Sequence, residues 1–94
     1  MEPTVDLNEI IRLVKRQQPD RDDIVSHLQK YPQGQWTRPG YYQFVDSTNA
    51  NMPGAVWQHD ECIVLEQENE GDIVLDVLRD GRVGGIEFID LIER

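Results

Sequence analysis

Ninety-four residues, 38% of them apolar, bound a single domain with a small core, and the formal charge of -9 argues against a nucleic-acid ligand, whose phosphates demand positive charge. One cysteine, Cys62, excludes an internal disulfide and fits a reducing compartment while leaving an export route open; a cytoplasmic protein is expected. Met1 to Glu9 lacks the basic-then-apolar order of a signal peptide, and no run approaches the roughly 20 apolar residues of a membrane span.

In chain order, Asp6-Leu7-Asn8-Glu9 has the form of a capping box. Leu7, Ile10, Ile11 and Val14 follow at helical spacing, and Arg12, Lys15 and Arg16 take the outer face. Pro19 closes that segment. Asp20 is the expected cap of a second helix, in which Ile24, Leu28 and Tyr31 share a stripe until Pro32 stops it. His27 falls off that stripe and is expected to be exposed. Helices of roughly 10 residues are marginal alone in water, so both must lie on an apolar surface.

The remainder supplies that surface. Tyr41 to Val45 reads as a strand entered through Pro39-Gly40, followed by Cys62 to Leu65, Asp72 to Leu78 and Val83 to Asp90. Trp36 or Val56-Trp57 can add an edge piece. Asp80-Gly81 predicts a two-residue hairpin turn with positive φ at both positions. Counting from Arg79 opposite Arg82 places Leu75 against Ile86 and Ile73 against Phe88 on one face. Val74 then opposes Glu87 and Asp76 opposes Gly85 on the other. The expected fold is α+β over 1–94, with two short N-terminal helices within 6–31. They pack on one face of an antiparallel, meander-like sheet of four or five strands within 36–92.

Between Arg38 and Arg79 there is no lysine or arginine but there are eight acids: Asp46, Asp60, Glu61, Glu66, Glu68, Glu70, Asp72 and Asp76. Six acids balance six bases before this segment and four meet three after it, so nearly all the net charge is central. Such a field speeds encounter with a basic partner. The structural alternative is a solvated edge that discourages sheet aggregation. Asp46 to Ala55 is rich in loop-forming residues. Trp57, between that loop and the acids, is the expected exposed anchor, with a cap over the core as its alternative.

His59 and Cys62 raise a nucleophile–base pair or half of a metal site. A structural zinc site wants four ligands, and the chain holds one Cys and two His. Asp60 or Glu61 would have to complete it, yet neighbours in extended chain point to opposite faces. The sequence reading is therefore structural, with His59 ending a loop and Cys62 opening a strand at a buried position. Calcium is not expected either, because Asp46 to Asn51 lacks the spacing of an EF-hand loop. Asp76, Glu87 and Asp90 can share the outer sheet face, but nothing marks a pocket around them. No catalytic residue, metal or cofactor is assigned.

The run Gly71 to Asp90, with Asp80-Gly81-Arg82 followed by Gly85-Ile86-Glu87-Phe88-Ile89-Asp90, resembles the C-terminal hairpin of a family of small bacterial domains of unknown function. In type, a small, acidic, single-domain α/β chain also resembles bacterial toxin-immunity proteins, as in contact-dependent inhibition. That resemblance implies a non-enzymatic protein that binds and neutralises a basic toxin, a nuclease among the candidates. The partner-binding residues expected are the eight central acids and Trp57. The alternative function is a structural or regulatory module that forms a homodimer or larger homo-oligomer.

Overall fold

The computed structural model describes residues 5–30, 32–67 and 71–91. Tyr31, Glu68 and Glu70 lie outside the described residues. Helix α1 spans Leu7–Gln17, and the Asp6 carboxylate accepts from the backbone N–H of Asn8 at 3.1 Å and of Glu9 at 3.3 Å, as its N-cap position requires. Glu9 itself pairs with Arg12 at 2.8 Å. Helix α2, Asp22–Lys30, starts later than the Asp20 cap predicted. Pro19 sets a turn closed by the Arg21 N–H on the Gln18 carbonyl at 3.0 Å, and the Arg21 carbonyl then takes the first helical bonds, from Ile24 and Val25.

Five strands follow: β1 Gln35–Arg38, β2 Tyr41–Gln43, β3 His59–Leu65, β4 Ile73–Leu78 and β5 Val83–Phe88. They form one antiparallel sheet in the order β1-β2-β5-β4-β3. The meander is β3-β4-β5. The β1-β2 hairpin, turned at Pro39-Gly40, adds beside β5, so the chain from Phe44 to Gln58 crosses to the far edge before β3 begins.

Both helices cover one sheet face. Ile10, Leu13, Val14, Ile24 and Leu28 meet Ile63, Leu65, Ile73, Leu75, Val77, Val83 and Ile86 in the main core. Burying each such side chain contributes about 1.5–3 kcal/mol, which explains why two short helices persist. The register counted from the turn is the one observed, with Leu75 opposite Ile86, Ile73 opposite Phe88, Val74 opposite Glu87 and Asp76 opposite Gly85.

The turn that sets this register has a different form. Gly81 N–H donates to the Leu78 carbonyl and Leu78 N–H to the Arg82 carbonyl, each at 2.9 Å, which leaves Arg79, Asp80 and Gly81 as a three-residue loop. Only Gly81, at φ 88°, needs the left-handed region there. Val77 then pairs with Val83 while Asp76 pairs with Gly85, so Gly84 is a bulge residue that restores the count. A Cβ at Gly84 would lie 2.6 Å from two ring atoms of Trp57. The bulge glycine therefore seats an aromatic ring.

His27 is not free on the helix surface as expected. Its Nδ1 accepts from the backbone N–H of Val83 at 3.2 Å, tying α2 to the start of β5. Burial, reinforced by the Arg82 charge and opposed by Asp80, holds this ring below the usual histidine range. A folded value below the unfolded one, about 6.5, gives stability that is present above that pH and lost as pH falls through the folded value. Denaturation at about pH 7.5 and about pH 5.5 should show wild type losing stability on acidification, and a His27→Gln variant losing less. Equal losses in both proteins would remove His27 as the source.

Candidate functional site

On the sheet face away from the helices, four chemically distinct side chains converge: His59, Cys62, Asp76 and Tyr41. A spacing of three puts His59 and Cys62 on opposite faces of a regular strand. β3 is not regular. His59 pairs with Leu78 but Glu61 with Val77, so Asp60 is an extra residue that turns His59 onto the Cys62 side. His59 Nε2 lies 3.3 Å from Cys62 Sγ. The Asn51 side-chain carbonyl accepts from the His59 backbone N–H at 2.9 Å, and Asn51 reaches that position through a positive φ of 66°.

The third member comes from β4. Cys62 and Asp76 are direct cross-strand partners, and the thiol donates to Asp76 Oδ1 at 3.4 Å. His59 Nε2 is 3.9 Å from the same oxygen. The other carboxylate oxygen, Oδ2, accepts from the Tyr41 hydroxyl at 2.8 Å. Tyr41 starts from β2, two strands away, and reaches Asp76 by lying across Gly85, where a Cβ would be 2.3 Å from its hydroxyl oxygen. Arg38 sits 4.2 Å above the Tyr41 ring, a cation–π contact. Burial and the Asp76 bond push the phenol well above its ordinary value, so Tyr41 acts as a fixed donor.

These contacts define what the cluster can do. Burial and the Asp76 carboxylate push the Cys62 thiol up, and the thiolate is the reactive form of cysteine, so the resting group is a weak nucleophile. Asp76 contacts the thiol itself, whereas a nucleophilic triad needs its acid behind the histidine. The nitrogen, sulfur and oxygen donors of His59, Cys62 and Asp76 all lie within 4.8 Å of one another, a ligand set of mixed type. Cys62 is exposed, contrary to the buried position expected from sequence.

The central acids do not form one surface. Asp46 is held in the loop, where it accepts from the Thr48 backbone at 2.9 Å and its hydroxyl at 2.7 Å. Asp60 is the exposed bulge residue of β3. Glu61 turns the other way and pairs with Arg21 at 2.5 Å, joining the edge strand to the turn that precedes α2. Glu66 is exposed, while its backbone exchanges two 2.8 Å bonds with the Gln17 side-chain amide at the end of α1. Asp72 borders a groove of about 230 Å³ shared with Asp6, Glu9 and Asp90, whose floor includes Ile73 and Phe88. Asp76 belongs to the cluster described above.

Trp57 corrects the expectation of an exposed anchor. It is only 7% exposed and packs with Tyr41, Val45 and Leu78 in a second small core on the outer face. The loop before it is a chain of turns, tied to Trp57 by the Asn51 N–H on its carbonyl at 2.9 Å, and the ring itself lies over Gly84. Met52 and Val56 are the large apolar side chains this loop leaves exposed.

Sequence reasoning missed Asp76 as the partner of Cys62 and Tyr41 as its donor. One signal was available: the hairpin register already set Asp76 opposite a glycine, a gap that invites a side chain from the next strand. No protein-family model, curated protein or solved structure matches the chain. Among the described residues, no helix is long and apolar enough to cross a membrane.

Proposed function

We propose that this protein is a non-enzymatic binding protein that captures and neutralises a basic protein, in the manner of a toxin-immunity protein. One observation carries the reading: among the described acids of the central segment, Glu61 alone has an arginine or lysine partner. Asp46, Asp60, Glu66, Asp72 and Asp76 keep charge that the fold does not neutralise with a lysine or arginine, which favours steering of a cationic partner. The groove beside Asp72 suits one basic side chain, its aliphatic stem on Ile73 and Phe88 and its head among the carboxylates.

Homo-association is the weaker alternative. β3 is an open edge with Val64 exposed, but two copies meeting there would bring Asp60 and Glu66 of both against one another. Partner capture on the immobilised chain from source cells tests the binding reading. A basic protein retained at about 50 mM salt and released at about 500 mM is expected, because the screening length exceeds about 10 Å at the lower salt and falls well below about 8 Å at the higher. Retention of an acidic protein, or retention indifferent to salt, would overturn it.

A further inference from the structure

We infer that His59, Cys62 and Asp76 form a zinc site with an open fourth position on the outer sheet face. This goes beyond capture of a basic protein and does not depend on it. A tetrahedral zinc ion, with bonds of about 2.3 Å to sulfur and about 2.0–2.2 Å to nitrogen and oxygen, spaces its ligand atoms about 3.3–3.6 Å apart. The three donor atoms stand 3.3, 3.4 and 3.9 Å apart, so only the partly exposed His59 ring has to move, by a fraction of an ångström. Donors of nitrogen, sulfur and oxygen suit zinc and disfavour calcium or magnesium, which prefer oxygen alone.

The surroundings are those of a supported ligand set. Cys62 and Asp76 are neighbours on paired strands, so their backbones are fixed by the sheet. The bulge at Asp60 and the Asn51 bond orient His59. Tyr41 holds Oδ2 of Asp76, which leaves Oδ1 directed at the other two ligands, the outer-shell role that fixes a metal-binding carboxylate. Cys62 is exposed, so the fourth position opens to solvent and takes a water or a donor from a bound partner. Binding replaces the thiol S–H bond with a sulfur–zinc bond and releases that proton to solvent. Thiolate, carboxylate and ion then sum to neutral charge, and affinity rises with pH.

The test is titration of the purified chain with zinc chloride, and with cobalt(II) as a coloured stand-in. One equivalent should bind, raise the thermal midpoint and give a thiolate-to-cobalt absorption band, while the same concentration of calcium does neither. Cys62→Ser should abolish the band, and both it and His59→Gln should weaken zinc at least as much as the loss of about 10-fold expected of Tyr41→Phe, which removes only the outer-shell bond. Cys62 is exposed and His59 partly so, and circular dichroism will show whether both variants stay folded. No cobalt–thiolate band, zinc affinity undiminished in Cys62→Ser, or an equal response to calcium would each overturn the site. Affinity unchanged in Tyr41→Phe would remove Tyr41 from it.

Discussion

Leu75→Ala should lower stability by about 2–5 kcal/mol, seen as an earlier denaturant midpoint at unchanged slope. Leu75 is fully buried in the middle of β4, between Ile63 on β3 and Ile86 on β5 and beneath both helices. Removing its isobutyl group forfeits transfer energy and leaves a cavity that two rigid strands cannot close. Phe88, opposite Ile73 near the end of the same face, looks equivalent in the sequence. It is only partly buried, against Trp36 at 5.5 Å between ring centroids. Phe88→Ala should therefore cost clearly less. Equal losses for the two variants would mean that the core is not centred where the helices cross the sheet.

Gly85→Ala should cost about 1–3 kcal/mol although it adds a single methyl group. The cause is steric rather than conformational, since the backbone at Gly85 is not in the left-handed region. The new Cβ would lie 2.3 to 2.6 Å from three atoms of Tyr41, two of them in the ring. Tyr41 is 4% exposed, so the ring must shift away from Asp76, whose Oδ2 then loses its donor. A double-mutant cycle isolates this effect. In a Tyr41→Ala background the methyl group should be far better tolerated, with a coupling energy of about 0.5–3 kcal/mol. If Gly85→Ala costs the same in both backgrounds, Tyr41 does not rest on the glycine. The same substitution is expected to weaken zinc, because it frees the carboxylate that Tyr41 orients.

The charge distribution shows how composition and geometry part ways. Eight acids without a base in one segment is a statement about a chain, and a strand divides such a run between its two faces. Glu61 and Cys62 are adjacent, yet Glu61 meets Arg21 from the helix side while Cys62 joins Asp76 on the other. The negative surface expected from the sequence thus separates into a loop carboxylate, an exposed bulge, a partly exposed network around Asp76 and a groove edge. Trp57 follows the same logic: its neighbours in sequence are polar, and its neighbours in space are Gly84, Leu78 and Val45.

Local physics settled much of this protein before any fold was known. Asp6 as an N-cap, the apolar stripes of α1 and α2, and the pairing of Leu75 with Ile86 depend on residues close in the chain, where helical and strand periodicities are short-range rules. Only the tertiary structure decided which edge β3 occupies, how a bulge at Asp60 turns His59 toward Cys62, and that Tyr41 crosses Gly85 to hold Asp76. Tyr41 and Asp76 lie far apart in the chain, and the bulge that aims His59 within β3 exists only in the pairing with β4, so both follow from packing of the whole sheet rather than from the spacing of any one segment.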